Sequence, residues 1–529
     1  MFFTSYEFIG FFFLLLLLYY LAPKKLQWII LLIASGLFYY AASPVYLFYI
    51  AATTLLSYGA ARVIEANLRR QKAYLKENKE ILEKEQKKAY KNAQGRIRKR
   101  WFLLGLIPVL GILIVTKYTN FFIANFNQVS SGFGGWKLSF VTLIVPMGIS
   151  FYTFQAVGYL ADVYRETIPA EKNFLRYALF ISFFPQLIQG PISRYGDLAP
   201  SLLGEHVFEW GKVRNGLFRM LWGFFKKMVV ADRILVAVST MIKAPESYRG
   251  AYAAVAMLFY TIDLYADFTG GIDITIGAAQ ALGIDMKENF VRPYFSFSLK
   301  EYWRRWHITM CTWFKDYVFY PVSTSGPIMR IAKITRKHLG EKAGKRIPVY
   351  LSTLIVWLAT GIWHGASWNF VVWGLLNWGI LMISEELDPL YTKFHARFGL
   401  DKTKGYRLFM IIRTFVLICV LNLFDCFTDV STTVGMILSV FGAHNWEIVT
   451  DGSLLALGLG YVDYILLGIG ILIMLSVSLV QCKGPVRERI ARLPYAIQVT
   501  IWFGLFLAVL LFGRYGIGYD SSQFIYNQF

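Results

Sequence analysis

The stretch VYLSTLIVWLATGIWHGASWNFVVWGLLNWGILMIS, residues 349–384, holds two apolar runs separated by a short turn around His364. It contains no Asp, Glu, Lys or Arg. Basic segments at 330–346 and 393–407 lie on either side, so the pattern predicts a helical hairpin that enters and leaves the membrane from one face. Its first arm, 349–363, spans about 22 Å at about 1.5 Å per residue, less than a hydrocarbon core of about 30 Å. We therefore expect His364 to lie below the outer surface.

The composition of the whole chain agrees with a membrane protein. Of its 529 residues 56% are hydrophobic and only 16% are charged, which excludes an ordinary soluble enzyme and predicts an all-α, polytopic integral membrane protein. About 11–13 spans are expected. The apolar runs are 9–22, 26–43, 45–61, 101–117, 139–160, 174–190, 216–231, 250–268, 349–363, 367–384, 407–427, 455–480 and 494–513. Short pieces such as 271–282 are expected to be half-helices or re-entrant segments.

The excess of basic residues, 54 against 33 acidic ones, indicates topology and predicts no nucleic-acid partner. With the N-terminus outside, the basic stretches 330–346, 393–407 and 483–492 all fall inside. The acidic stretch 429–452 falls outside. We expect the first run to be a retained helix, since no small-residue cleavage site follows it.

Four regions are predicted from these patterns. They are N-terminal transmembrane helices (1–61), a basic cytoplasmic helical arm (62–100), a core that carries the chemistry (101–393) and C-terminal transmembrane helices (394–529). Four cysteines without regular spacing predict neither a disulfide framework nor a metal site.

His364 is the first candidate for chemistry, because an ionisable group at membrane depth is costly. Gly361, Gly365 and Ala366 around it permit a sharp bend and the close approach of a ligand. The alternative is a buried histidine that only bonds a neighbouring helix, with the glycines used for packing.

His307 is the second candidate, in the stretch SLKEYWRRWHITMCTWFKDY, residues 298–317. Arg304, Arg305 and Lys315 suit a cytoplasmic mouth that meets a phosphate-bearing donor such as coenzyme A or a phosphopantetheine arm. Cys311 follows His307 by one helical turn, so a Cys–His nucleophilic pair is a further reading. An interfacial helix with neither role remains open, because such helices are also rich in tryptophan and charge.

Other polar residues interrupt apolar runs. One apolar stretch, predicted to lie at or near bilayer depth, contains three acids, Asp263, Asp267 and Asp273. Another apolar run is interrupted by Gln186 and Gln189. An acid-lined path would use such residues, so an ion or glycan transporter stays an alternative.

Several long motifs, in order along the chain, carry a resemblance to a known family. They are FFTSYEF (2–8), PMGISFYTFQ (146–155), FFPQLIQGPISR (183–194), ENF (288–290), WRRWH (303–307), TWFKDY (312–317) and WHGASWNF (363–370). The chain resembles the membrane-bound O-acyltransferase family, and within it the bacterial alginate O-acetyltransferase-like branch. Departures at 270–273 and 422–426 leave the acceptor sugar open.

The resemblance implies a ring of helices around a central tunnel, with His364 as the embedded catalytic histidine and His307 as a second functional one. The predicted reaction moves an acyl group, acetyl first of all, from a cytoplasmic thioester to hydroxyls of an extracytoplasmic polysaccharide or cell-wall glycan. D-alanyl transfer to teichoic acid is the alternative within the same chemistry. Residues predicted to bind substrates are Trp303, Arg304, Arg305, Lys315, Asp316, Asn289, Gln155, Gln186, Ser367 and Asn369.

The predicted surroundings follow from the same resemblance. The chain is expected in a bacterial plasma membrane, with no bound cofactor or metal. Its donor is expected to be acetyl-CoA or a thioester on a phosphopantetheine arm of a carrier protein. A separate extracytoplasmic acyltransferase is an expected partner for delivery to the glycan.

Overall fold

The computed structural model describes residues 3–515, and every regular element in that range is a helix. The first residue of the predicted 2–8 motif and the last 14 residues of the predicted C-terminal region, 516–529, lie outside the described residues. Within the described range the all-α expectation is confirmed.

Eight of the described helical segments are long and apolar enough to cross a membrane. They are Lys24–Ala42, Pro44–Glu77, Lys84–Gly132, Gly326–His364, Trp368–Phe398, Lys404–Asp425, Tyr461–Val480 and Tyr495–Phe512. Two shorter apolar helices, Tyr6–Leu21 and Val430–Phe441, accompany them. The chain is a multi-pass membrane protein. The described range contains fewer full-length spans than the predicted 11–13, because several of the predicted runs form helices that are short or carry charges.

The described chain groups into two compact units. The first contains the residues up to Arg214 together with Ala278–Met286. Its helices are Tyr6–Leu21, Gln27–Ala42, Pro44–Glu77, Lys84–Gly132, Ile149–Tyr164, Phe174–Ser182, Pro185–Gln189 and Tyr195–Leu202. The predicted arm, 62–100, is made of the end of the third helix and the start of the fourth, and both helices continue through its boundaries without a break.

Two predicted spans of this first unit are interrupted. Residues 139–146 are not helical, so the run 139–160 provides only the helix Ile149–Tyr164. The run 174–190 forms two short helices, and Pro185 begins the second one. Gly148 has a φ of +71°, and a Cβ at that position would lie 2.2 Å from the carbonyl oxygen of Leu187. The backbone therefore approaches closely where a straight helix was expected.

The second unit contains Asn215–Gly277 and the chain from Lys287 onward. Trp210–Phe224 leads through a π-helical segment, Phe225–Ala231, into Asp232–Lys243. The remaining α-helices are Ala251–Ala281, Leu299–Arg305, Ile308–Phe314, Tyr320–Ser323, Gly326–His364, Trp368–Phe398, Lys404–Asn422, Val430–Phe441, Tyr461–Val480, Val486–Ala491 and Tyr495–Phe512. A second π-helical segment, Lys315–Phe319, follows Ile308–Phe314.

The predicted half-helix at 271–282 is wrong, because Ala251–Ala281 is continuous there. Gly270 and Gly277 serve helix packing instead of a break. A Cβ at Gly277 would lie 2.6 Å from the carbonyl oxygen of Gly216, and one at Gly223 would lie 2.6 Å from that of Gly270. Small residues at such contacts let two helix backbones approach closely.

The predicted hairpin is present. Its first helix, Gly326–His364, contains a kink at Gly340, where φ is +89°. The part after the kink, 341–364, is about 36 Å long at about 1.5 Å per residue. It is longer than the apolar run because it also includes the basic residues that precede 349. The arms pack at Gly361 against Phe370 and at Gly374 against Trp357, where a Cβ on either glycine would lie 2.3 or 2.5 Å from the opposite carbonyl oxygen.

Candidate functional site: two histidines in an aromatic setting

His307 lies at a sharp reversal of the chain in the second unit. The helix Leu299–Arg305 begins at Ser298, whose side chain caps the Glu301 N–H, and the next helix begins at Ile308. His307 stands between them with a φ of +45° and a fully buried side chain. A left-handed conformation is uncommon outside glycine and is often found at functional sites.

Asn289 holds this reversal in place. Its buried side-chain oxygen accepts hydrogen bonds from the Thr309 N–H at 3.0 Å and the Thr309 hydroxyl at 2.9 Å. The same oxygen is 3.3 Å from His307 Nδ1. Because the Thr309 N–H can only donate, the atom facing it is the amide oxygen, and Nδ1 is the donor toward it. In the neutral imidazole, Nε2 then carries the basic lone pair.

Aromatic rings enclose His307. Its ring centroid is 5.0 Å from that of Phe268, 6.4 Å from that of Phe290 and 6.0 Å from that of Trp363. His307 lies outside the eight long apolar helices, and burial, with a smaller contribution from the nearby His364, lowers its pKa well below the usual range. The imidazole is therefore neutral at physiological pH.

His364 is the last residue of its helix and stands beside the same indole. Its ring centroid is 4.9 Å from that of Trp363, 4.8 Å from that of Trp373 and 6.1 Å from that of Phe370. Trp363 thus contacts both histidines. The structure brings together the two residues that the sequence singled out, 57 positions apart in the chain.

The residues after His364 explain the tight end of the hairpin. A Cβ at Gly365 would lie 2.1 Å from the Phe370 ring, so this position requires glycine. The Ser367 side chain caps the second helix by accepting from the Asn369 N–H at 3.1 Å. The Asn369 amide donates to Thr433 Oγ1 at 2.9 Å and to the Phe427 carbonyl oxygen. Ser367 and Asn369 therefore fix the shape of the turn.

The predicted substrate-binding residues around His307 differ in how exposed their side chains are and in whether they contact other side chains. The Trp303 indole N–H donates to Asn377 at 3.0 Å and packs against Trp357, so it holds this segment on the hairpin. Arg305 pairs with Glu301 at 2.5 Å. Arg304 and Lys315 are exposed, and Asp316 is half-buried. Lys315 and Asp316 belong to the π-helical segment Lys315–Phe319, a feature often found at functional sites.

The Cys–His pair is not supported by the position of its thiol. Cys311 Sγ is 3.6 Å from the carbonyl oxygen of Trp306, to which it donates. Burial raises the pKa of Cys311 to about 12. A thiol of this kind is protonated at neutral pH, and the thiolate is the nucleophilic form.

Gln155 and Gln186 belong to the first unit, whereas both histidines belong to the second. Gln155 is 2% exposed, and neither of its side-chain polar atoms has a hydrogen-bond partner among the described residues. The Gln186 amide donates to the Phe180 carbonyl oxygen at 2.7 Å. Substrate binding by these two residues stays a prediction.

Sequence reasoning missed a buried ion-pair cluster in the second unit. Lys226 and Lys227 occur inside an apolar run, and both are at most 4% exposed. Lys226 contacts Asp273 at 2.7 Å, and Lys227 contacts Asp267 at 2.5 Å. Arg219 also contacts Asp273, at 2.7 Å. Two adjacent lysines in an apolar run were the signal for this cluster, since buried lysines require acidic partners.

The model of the membrane-bound O-acyltransferase family matches residues 166–330 and 338–426, which include both histidines. This part of the chain, residues 166–426, belongs to the membrane-bound O-acyltransferase family. The resemblance predicted from the motifs is thereby confirmed.

Three relatives illustrate the range of members with similar sequences. A probable alginate O-acetylase of Pseudomonas aeruginosa is 34% identical over 52% of this chain and 50% of its own length. A peptidoglycan O-acetyltransferase of Helicobacter pylori is 32% identical over 58% of this chain and 59% of its own. A teichoic acid D-alanyltransferase of Bacillus subtilis is 26% identical over 44% and 56%. The chain spans about half the length of the alginate relatives it matches.

Proposed function

We propose that this protein is a membrane-embedded O-acyltransferase. It would move an acyl group, acetyl in the first instance, from a cytoplasmic thioester donor to a hydroxyl of an extracytoplasmic polysaccharide or cell-wall glycan. The observation that carries the proposal is that His307 and His364 both lie next to Trp363, inside the segment that matches the family model.

His364 is the proposed general base. The acceptor hydroxyl oxygen attacks the thioester carbonyl carbon, a C–O bond forms and the C–S bond breaks. The imidazole takes the hydroxyl proton during attack and returns it to the departing thiolate. A positioned base of this kind typically contributes about 100- to 10,000-fold. The end of the hairpin, fixed by Gly365 and Ser367, gives the imidazole a defined position.

His307 is proposed to act from the donor side. Its neutral imidazole, oriented by Asn289, presents Nε2 away from the amide. Arg304 and Lys315, both exposed on the same segment, are proposed to meet the phosphate groups of the donor, whether acetyl-CoA or a carrier-borne phosphopantetheine. The donor side would face the cytoplasm of a bacterial cell, with the N-terminus outside.

Two of the three acids that favoured a transporter are paired with basic side chains. Asp267 and Asp273 contact Lys227, Lys226 and Arg219, and their charges are balanced inside the protein. A cation path needs acids that are available to the ion. Acyl transfer is therefore the better reading of this chain.

D-alanyl transfer is a second candidate. A relative named as a teichoic acid D-alanyltransferase aligns with 44% of this chain. The relatives named as O-acetylating enzymes have higher identity, 32% and 34%, so acetyl is the first choice.

Mass spectrometry of surface polymers tests the proposal. Polymers from cells with the chain, cells without it and cells complemented with it would be treated with mild base, and the released acids identified. We expect glycan-linked acetate that disappears with the chain and returns on complementation. Released D-alanine would favour the second candidate, and an unchanged ester content would contradict acyl transfer.

A further inference from the structure

The second unit contains a cavity of about 600 Å³ with two chemically different sides. One side is formed by the helices Tyr461–Val480 and Tyr495–Phe512. Its lining is apolar and includes Ile473, Met474, Val477, Ile501, Leu505 and Ala508. A cavity of this size accommodates a hydrocarbon chain.

The other side is charged and carries an excess of bases. Arg219, Lys226, Arg292 and Arg487 line it together with two acids, Asp273 and Glu288. Four bases against two acids leave two positive charges in excess. This side therefore favours an anion.

The two acids are engaged mainly by the two deeper bases. Arg219 makes a bidentate contact with Glu288, at 2.7 and 2.6 Å, and Lys226 contacts Asp273 at 2.7 Å. Arg487 is farther from Glu288, at 3.8 Å, and its side chain is 32% exposed. Arg292 and Arg487 thus supply the excess charge.

The apolar helices present hydrocarbon on their outer faces as well. Phe503, Phe506 and Leu511 of the last helix are 49–65% exposed, and Gln498 is its one buried residue among those described. Such a helix faces lipid in a multi-pass membrane protein. The cavity beneath it is therefore next to the source of an amphiphile.

We propose that the cavity binds one anionic phospholipid, with the phosphate at Arg292 and Arg487 and an acyl chain along the apolar side. Basic groups between membrane helices favour lipid phosphates electrostatically. The extent of the apolar side argues for a lipid over a water-soluble phosphate compound. This inference is independent of the acyl-transfer reaction.

Native mass spectrometry of the purified full chain tests charge recognition. The protein in detergent would be incubated with phosphatidylglycerol or with phosphatidylcholine of the same chains. We expect one retained phosphatidylglycerol and at least about tenfold weaker retention in Arg487→Gln, as for the loss of a charge-assisted contact. Arg489→Gln, a matched change two residues away, should retain the lipid. Equal retention of both lipids, or equal loss in both variants, would overturn the proposal.

A pair of glycine substitutions tests the position of the acyl chain. Gly504 lines the cavity, and a Cβ there meets nothing within 4 Å, so this position accepts a side chain and Gly504→Leu adds apolar bulk at the cavity wall. Gly468, on the other helix, has the same open surroundings but does not line the cavity. We expect Gly504→Leu to lose the lipid and Gly468→Leu to keep it. Retention by both variants, or displacement of the lipid by coenzyme A or inorganic phosphate, would overturn the assignment.

Discussion

Two groups of buried polar side chains in the second unit differ in the charge of their neighbours. Around Asp273, oppositely charged side chains meet directly, with Arg219 and Lys226 each at 2.7 Å. Around His307 and His364 the neighbours include several aromatic rings, and His307 Nδ1 is 3.3 Å from the Asn289 amide oxygen.

This difference separates a structural role from a chemical one. The paired side chains keep their charged protonation states, because each charge is stabilised by the opposite one. An imidazole among rings and an amide is kept neutral and can accept a proton when a reaction supplies one. The proposed catalytic role of the histidines therefore rests on the identity of their neighbours and not on burial alone.

The largest stability effect is expected at the ion-pair cluster. Asp273→Ala would leave Arg219 and Lys226 without their shared carboxylate, and breaking a buried pair typically costs about 3–5 kcal/mol. Thermal unfolding of the purified protein should shift down strongly. Glu447→Ala removes an exposed acid and is the control. An unchanged melting temperature in Asp273→Ala would show that the cluster does not stabilise the fold.

A smaller effect, with a pH signature, is expected at the histidines. Asn289→Asp places a carboxylate beside His307 and raises the pKa of the imidazole, since an opposite charge favours the protonated form. The neutral form then requires a higher pH. Transfer at neutral pH should fall about tenfold, corresponding to about 1.4 kcal/mol, and the acid limb of the pH profile should move to higher pH. A profile that falls without shifting would contradict a titrating role for His307.

The smallest effect is expected at Trp303. Trp303→Phe keeps an aromatic ring, although a smaller one, and removes the N–H that bonds Asn377, and the loss of that hydrogen bond typically costs about 1 kcal/mol of stability. We expect a slightly lower melting temperature and unchanged transfer. A rise in the KM for the donor, with the same melting temperature, would instead support the predicted substrate contact.

The hairpin and His364 were predictable because their signal is local. A charge-free apolar run with one histidine between glycines gives both the turn and the candidate residue. The motifs likewise gave the family, since they recur in order. The predicted depth of His364 rested on the apolar run from 349, whereas its helix extends back to 341.

The rest depends on contacts between distant residues. Asp263, Asp267 and Asp273 resembled an acid path in the sequence, but the partners of the last two come from the segment 219–227, more than 35 positions away. The contact of Asn289 with His307 and Thr309 is of the same kind. The stretch 271–282 suggested a half-helix, whereas the close approach of Gly270 to Gly223 is a property of the folded pair of helices.

The most direct test of the central claim compares His364→Ala with His338→Ala in cells that lack the native chain. His338 is exposed and is the matched control. The measurement is ester-linked acetate per unit of surface glycan, with the membrane level of each variant determined in the same cells. We predict a decrease of about 100-fold or more for His364→Ala, as expected on loss of a general base, and no change for His338→Ala. Wild-type ester content in cells that carry only His364→Ala would contradict the account.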